Sequence, residues 1–518
     1  MFSLIICSDR ERGIGMHNGE IPFKNSADLK HFKKATTDNI VIMGRKTWDA
    51  IPIKYRPLSN RINVIISSKG YAILENETFG RPDFMKPLSV KDKIDYCDSI
   101  NSPIMVFTSI KECVKELSKK QYKEKEKFVA GGATIYDYFW KNSLVSHIYS
   151  TIVYHNFNCE VFTQIPIVDD LLESEHWDMT SFEKMTFDDA VAFDKELKKC
   201  MPEYSWTYYR FSYINKEEKQ FLNVLKSVDE EGEIRNDRTG TGTKAIFAPA
   251  DMRFDLTNNN FPLLTTRAMN LRLIFEELMF FLRGQTDIKI LEEKKVKIWT
   301  PNTTREFLDS RGLQHYDVGD IGATYGFLYR HQGANYINCQ TDYTGQGFDQ
   351  LAEVIRLLKE DPYSRRIMIN LWDPINMHKM SLPPCLFNFQ FYVSFDALNT
   401  KWLSCKITQR SSDISLAGGW NIATGALFTH MLAHVTGMRP KSLIWSPGDT
   451  HIYLNQLEGV KNQLSREPRI FPKLYFKKNE KNKETKENKE KEITDFEFTD
   501  LELVNYNPHA PIKLAMNA

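Results

Sequence analysis

Cys385 follows Pro383-Pro384 and opens a stretch that reads as a strand, in a half of the chain that also holds Arg365-Arg366 and Arg410-Ser411. A thiol on a proline-stiffened turn beside guanidinium groups suits a thiolate nucleophile, because cationic neighbours favour the anion. The bland alternative is an inert small hydrophobe, with arginines that form surface ion pairs. Arg238 lies in Asn236-Asp237-Arg238-Thr239-Gly240-Thr241-Gly242. The composition is that of a phosphate loop, but the pattern G-x-x-x-x-G-K-[ST] is not met, which argues against an NTPase. Convergence of these arginines on one phosphate requires a fold that brings them together.

In the first half, Asp28 opens an amphipathic pattern over residues 27–35 in which Leu29 and Phe32 are apolar. It is either a helix-start partner of the ordinary kind or a partly buried carboxylate aimed at a protonatable heterocycle. Three strand-like runs end in small or polar residues at a helix start. These are Gly44-Arg45-Lys46-Thr47, Ser67-Ser68 and Gly131-Gly132-Ala133-Thr134. Such strand ends bind phosphates through free helix N–H groups. Arg45, Lys46, Ser67 and Ser68 suit a further 2′-phosphate, which favours NADPH over NADH. Each signal also has an ordinary reading, since Gly-Gly after a strand is a common turn.

The elements that must position these groups fall into two blocks. Strand-like runs at 3–7, 40–43, 61–67, 104–108, 127–130 and 147–153 alternate with helical patterns such as 27–35 and 134–141. This predicts an α/β domain with a mostly parallel twisted sheet flanked by helices. Residues 70–100 read as a long loop. Near residue 213 a strand pattern (205–213) gives way to a helix (217–228) without a Gly/Ser/Pro linker. The expected domains are therefore 1–214, a short junction 215–219, and 220–518. The second combines helices (271–283, 348–359, 422–435) with strands (386–394, 403–409), an α+β pattern. Residues 477–492 are a mixed-charge run that reads as a solvated, disordered insert.

A length of 518 residues points to more than one core. Lys plus Arg (68) nearly cancels Asp plus Glu (67), leaving +1, so no global field favours nucleic acid or membrane. The absence of an aromatic-basic patch also argues against an RNA-binding module. No stretch of about 18 apolar residues predicts a membrane span, and the N-terminus carries no signal-peptide pattern. The eight cysteines show no C-x-x-C spacing. Neither a disulfide framework nor a metal site is expected, and a cytoplasmic location fits.

Five segments of the first half resemble dihydrofolate reductase, in order and spacing: I-G-M-x-N-G-x-I-P-F (14–23), A-D-L-x-x-F (27–32), V-I-M-G-R-K-T-W (41–48), R-P-L-x-x-R (56–61) and G-G-A-x-I-Y (131–136). The resemblance implies that Asp28 pairs with the pterin ring of folate and that Thr151 joins that network. Ile6, Phe23, Phe32 and Ile51 would line the folate pocket, and Arg61 would grip the glutamate-tail carboxylate. NADPH would meet Cys7, Ile14, Gly15, Gly44, Arg45, Lys46, Thr47, Ser67, Ser68, Gly131, Gly132, Ala133 and Thr134. The Gly131–Gly132 bond is expected to be cis. Phe23 stands where the family usually has Trp, Cys7 where it has Ala, and Ala130 where it has a larger aliphatic.

The second half resembles thymidylate synthase through N-D-R-T-G-T-G-T (236–243), F-P-L-L-T-T (261–266), F-E-E-L (275–278), S-R-R-I (364–367), L-P-P-C (382–385), Q-R-S-S-D (409–413), W-N-I-A (420–423), G-D-T-H-I-Y (448–453) and L-S-R-E-P-R (464–469). By that resemblance Cys385 adds to C6 of dUMP, and the nucleotide accepts a carbon from 5,10-methylenetetrahydrofolate. Arg238, Arg410 and Ser411 would hold the phosphate together with Arg365 and Arg366 of a second subunit, which implies a homodimer through this domain. Arg410 would also favour the thiolate. Asn421 would read the uracil edge, with Gln409 and Ser412 among the substrate contacts. His451 and Tyr453 would take the 3′-hydroxyl, Asp413 the folate pterin, and Glu277 would shuttle protons through water. Departures include Leu386 for His, Leu328-Tyr329 for Gln-Trp, Ala417 for Gly, Thr300-Pro301 for Asp-Ala, and Ser412 for a second cysteine. The implied whole is a fused folate-cycle enzyme. The alternative is an active reductase whose synthase-like half serves only as a dimerisation scaffold.

Overall fold

The computed structural model describes residues 2–17, 21, 26–81, 88–142, 144–155, 157–166, 168–174, 177–185, 205–477 and 491–517. The chain divides into two compact units, Met1–Asn215 and Lys216–Ala518.

The strands of the first unit are β1 (Phe2–Asp9), β2 (Gly13–Gly15), β3 (Ile40–Gly44), β4 (Ile62–Ile66), β5 (Ile104–Phe107), β6 (Lys127–Val129), β7 (Val145–Val153), β8 (Val161–Phe162), β9 (Trp177–Met185) and β10 (Trp206–Tyr213). An eight-stranded sheet runs β5-β4-β3-β6-β1-β7-β10-β9. Every pair from β5 to β7 is parallel, and only the last two are antiparallel. β1 and β3 are buried along almost their whole length, as central parallel strands covered on both faces must be. The helices are α1 (Ser26–Thr36), α2 (Arg45–Ala50), α3 (Val90–Ser99), α4 (Ile110–Leu117), α5 (Ala133–Lys141) and α6 (Val168–Leu172). The α/β expectation holds.

Residues 70–100 are not the long loop that their composition suggests. They contain a 3-10 turn, Gly70–Leu74, and the helix α3, whose start is fixed by a capping box between Ser89 and Asp92. Leu74, Phe79 and Cys97 are buried with Val41, Met43, Trp48 and Ile65. So few apolar residues among many charges leave the helical period faint in sequence, although they suffice to dock the segment.

The second unit contains β11 (Glu233–Arg235), β12 (Thr243–Phe247), β13 (Met252–Asp255), β14 (Met368–Asn370), β15 (Leu386–Phe395), β16 (Lys401–Asp413), β17 (Arg439–Tyr453), β18 (Lys473–Phe476) and β19 (Leu501–Val504). Its main sheet runs β11-β12-β17-β16-β15-β14, with β13 also on β17. Helix Gly419–Val435 is buried around its circumference, which marks it as the core helix of an α+β unit. Helix Lys216–Glu231 opens the unit, so residues 216–219, expected as junction, form its first turn. Glu218 on that turn is 0% exposed. Its carboxylate accepts from the N–H and Oγ1 of both Thr265 and Thr266, at 2.5–2.8 Å. Two sequence expectations, most of the charged run at 477–492 and the folate contact Phe23, lie outside the described residues.

Candidate active sites

In the first unit, β1 and β7 pair so that Cys7 and Thr151 are register partners, and their side chains share one face. Asp28, in the first turn of α1, meets that face. Thr151 Oγ1 donates to Asp28 Oδ1 at 2.6 Å, and the Cys7 thiol also hydrogen-bonds the carboxyl. Burial pushes Asp28 above the usual carboxylate range, while the bonds from Thr151 and Cys7 pull it back. Cys7 was expected on the cofactor side; its thiol instead turns to the acid.

Arg61 is only 6% exposed. Its Nε donates to the Ser59 carbonyl at 2.9 Å and its Nη1 to Thr36 Oγ1 at 3.1 Å. The guanidinium lies 6.0 Å from the Phe32 ring. These partners are neutral, and burial lowers the Arg61 pKa, so an incoming carboxylate gains a buried cation. Ile6 is buried and Ile51 half-buried.

Most of the residues expected at the cofactor gather at the carboxyl ends of β3 and β6. The Gly44 N–H donates to the Gly131 carbonyl at 2.8 Å. The Gly131–Gly132 peptide is cis, and Gly131 has φ +123°. A Cβ at Gly131 would stand 3.3 Å from Thr47 Oγ1, and one at Gly44 3.3 Å from an Ile135 side-chain carbon. Gly132 caps α5 without a side-chain bond, leaving that amino end, with Ala133 and Thr134, open to an anion. This close backbone cradle fits the pyrophosphate of NADPH. Arg45 and Lys46 are exposed, with Arg45 paired to Asp49 at 3.2 Å. Ser68 is exposed, whereas Ser67 is buried and its hydroxyl accepts from the Lys69 N–H at 3.3 Å. Ile14 and Gly15 lie on β2, which pairs with β8.

In the second unit, Cys385 immediately precedes β15. Its N–H donates to the Tyr325 hydroxyl at 2.7 Å. Arg410, on β16, is held by the Pro384 carbonyl (2.9 Å) and the Pro383 carbonyl (3.0 Å), and its Nη2 is 3.8 Å from Cys385 Sγ. Burial nevertheless pushes the Cys385 thiol up, with Arg410 opposing the shift. The expected net lowering is therefore not found, because desolvation outweighs one guanidinium.

The remaining groups converge from other strands. Burial raises the Tyr453 hydroxyl, and Asp237, Asp413, Arg238 and Cys385 all act on it, which puts the Arg238 loop, Cys385 and β17 in one neighbourhood. His451 Nδ1 lies 2.8 Å from Asp449 Oδ1. Asp413 accepts from Leu416 N–H (3.0 Å), the Ser415 hydroxyl (2.9 Å) and Gln456 Nε2 (2.8 Å). Ser411 is half-buried, and Arg365 and Arg366 are exposed on the turn before β14. Gln409 and Ser412 depart from expectation, each being 1% exposed. Gln409 Oε1 accepts from Asn421 Nδ2 (3.1 Å) and Trp445 Nε1 (2.9 Å), so it orients Asn421 from behind. Ser412 Oγ is buried without a hydrogen-bond partner. Along β16 the buried positions alternate as far as Gln409 and then shift to Ser412, so the regular alternation breaks between the two.

Glu277, on helix Leu271–Leu282, accepts from Trp299 Nε1 at 2.8 Å and Trp420 Nε1 at 2.7 Å. Burial raises it, and the two indoles pull it down. Tyr325 stacks on Phe281, with centroids 4.7 Å apart. Its hydroxyl feels both Cys385 and Glu277. Sequence reasoning missed Tyr325, Trp299 and Trp420 as site residues. The one available signal was that a tryptophan N–H in a core needs an acceptor.

Comparison with known proteins matches residues 219–518 to the family described as Thymidylate synthase and residues 1–89 to that described as Dihydrofolate reductase. The bifunctional dihydrofolate reductase-thymidylate synthase of Leishmania major is 35% identical over 534 residues, covering 99% of this chain and 95% of the relative. That of Zea mays is 33% identical, covering 99% and 96%. The thymidylate synthase of Candida albicans is 48% identical over 315 residues, covering 58% of this chain and 98% of the relative.

Proposed function

This chain belongs to the bifunctional dihydrofolate reductase–thymidylate synthase family, and from that membership we propose which of its residues carry each reaction. It methylates dUMP to dTMP with 5,10-methylenetetrahydrofolate, releasing dihydrofolate, and it reduces dihydrofolate to tetrahydrofolate with NADPH. No observation favours a synthase half that serves as a mere scaffold.

In the reductase, NADPH supplies the hydride that C6 of dihydrofolate receives. Asp28 accepts hydrogen bonds from the pterin N3 and 2-amino groups, while Thr151 and Cys7 hold its carboxyl in place. Water delivers the proton to N5, and the charge on Asp28 favours it there. Phe32, Ile6 and Ile51 pack on the folate, and Arg61 grips its α-carboxylate. Gly44, Thr47 and the start of α5 hold the pyrophosphate, and exposed Arg45, Lys46 and Ser68 suit the 2′-phosphate.

In the synthase, Cys385 Sγ bonds to C6 of dUMP, and the C5=C6 electron pair passes toward O4. The resulting enolate carbon C5 attacks the folate methylene. The methylene parts from N10 as that bond forms; loss of the C5 proton then expels N5, hydride passes from the tetrahydrofolate ring to the exocyclic methylene, and release of Cys385 gives dTMP and dihydrofolate. Arg238, Arg410 and Ser411 hold the phosphate. Asn421, steadied by Gln409, reads O4 and N3; His451 and Tyr453 take the 3′-hydroxyl; Asp413 meets the folate pterin. Glu277 relays protons at the base through water. The observation that carries this assignment is the approach of Arg410 to Cys385 at 3.8 Å. The test is tritium release from 5-tritiated dUMP. Cys385→Ser should abolish it while NADPH oxidation with dihydrofolate continues, and retained release removes Cys385 from the mechanism.

A homodimer through the synthase unit completes the phosphate site. Its main sheet has an exposed face bearing Met368 and Tyr392, opposite a buried one, and Arg365 and Arg366 are exposed at its edge. Mixing Cys385→Ser with Arg366→Ala chains should restore synthase activity, because one site in the hybrid has both groups intact; no recovery on mixing contradicts the shared site. The described cysteines are free thiols, which supports a cytoplasmic location, testable by fractionation.

A further inference from the structure

Glu277 sits where three separate elements meet. It belongs to helix Leu271–Leu282, Trp299 precedes the short 3-10 turn Thr300–Asn302, and Trp420 is the second residue of the core helix Gly419–Val435. An indole carries one donor and no acceptor. Here each oxygen of one carboxyl takes one such donor, Oε1 from Trp299 at 2.8 Å and Oε2 from Trp420 at 2.7 Å. One bond would leave the carboxyl free to turn about its terminal torsion, a broad and soft rotation. Two bonds from different elements fix the plane of the group and leave its remaining lone pairs facing one way.

Two neighbours make the placement of Trp420 consequential. The next residue is Asn421, whose amide is oriented by Gln409. One turn of one rigid helix therefore sets both the group that reads the base and the group that relays its protons. Beside the nucleophile, Leu386 offers no proton-carrying side chain. Tyr325 is the titratable neighbour that interacts with Glu277, while the adjacent Glu276 is turned away into an ion pair with Lys294 at 2.7 Å. We infer that Trp420 is a positioning residue of the methyl-transfer reaction, acting with Trp299 to hold the Glu277 carboxyl in its working orientation.

The inference rests on the proton-relay reading of Glu277. Trp420→Phe keeps the ring and deletes the donor. A bond to a charged acceptor is strong enough to move the acid limb of the kcat profile up by about one pH unit. Below the limb kcat should fall by up to roughly tenfold and recover in alkali, with KM for dUMP within about twofold of wild type because the base contacts are untouched. Trp299→Phe should shift the limb in the same direction. An acid limb superimposable on the wild-type one, or an equal loss at every pH, overturns the inference. A measurement on the unmutated full chain guards against misfolding: the Trp299 and Trp420 indole N–H resonances should titrate together, and Glu277→Gln should abolish that titration. Resonances that ignore Glu277 also overturn the inference. A Glu277→Gln enzyme with wild-type turnover removes the relay reading and this inference with it. An inactive Glu277→Gln enzyme beside an unchanged Trp420→Phe profile sinks the inference alone.

Discussion

Replacing Thr151 by Val deletes the 2.6 Å bond to Asp28 and nothing of comparable size, since the two side chains have nearly the same shape. A hydrogen bond to a charged acceptor contributes about 1.5–3 kcal/mol, which corresponds to roughly one to two pH units in the acidity of the acceptor. Burial already holds Asp28 above the usual carboxylate range, so the variant pushes it further in the same direction. Because the folded-state pKa is raised, the ionised form is penalised in the native protein as pH climbs through that value. Thr151→Val should therefore be most destabilised at neutral pH and least so in acid, where the carboxyl is protonated in both folded and unfolded chains. The same loss should lower kcat/KM for dihydrofolate by about tenfold or more at neutral pH. Thr151→Ser should recover most of it, since the hydroxyl returns. The assays are NADPH oxidation across a pH series and the carbon-13 shift of the Asp28 carboxyl. An unchanged Asp28 titration, or equal kcat/KM for Val and Thr, refutes the reasoning.

Arg61→Ala should raise KM for dihydrofolate by tenfold or more with little change in kcat, because the guanidinium meets the tail and not the reacting ring; a kcat loss at constant KM would contradict that. Gln409→Ala should blunt discrimination between dUMP and dCMP, measured as the ratio of their kcat/KM values, since Asn421 loses the acceptor that fixes its amide. Gly131→Ala should weaken NADPH binding measured by titration, because the added carbon meets Thr47 at 3.3 Å and φ is +123°. An unaltered affinity would remove Gly131 from the cradle.

The motifs announced the chemistry, and the register of β1 on β7 and of β15 on β16 is what made them adjacent. Asp28, Cys385 and Arg410 were legible because each lies in a short motif, whereas Thr151 lies in none and was reached only through the resemblance. Gln409 and Ser412 were misjudged for a geometric reason. A motif places five consecutive residues near a site, but which of them are buried depends on a break in the strand's alternation between Gln409 and Ser412 that the motif does not record. The acidity of Cys385 was misjudged because neighbours in sequence report charge, whereas desolvation depends on atoms contributed from the whole fold. Cys7 could not be assigned to the acid without knowing that its strand is flanked by that of Thr151. The helix in residues 70–100 was hidden by its charges.

The Glu218 clamp sets a limit on where this polypeptide can be trimmed. A shortened protein beginning at residue 220 would retain every group assigned to methyl transfer, yet it would lack the carboxylate that receives four donors from Thr265 and Thr266. The Thr265 hydroxyl has a second acceptor in the Arg469 carbonyl at 3.3 Å, but each buried donor left without one costs about 1–3 kcal/mol, a large share of the stability of an ordinary domain. Independent folding of the C-terminal catalyst thus requires a start upstream of Glu218, a residue whose sequence context gives no hint of that duty.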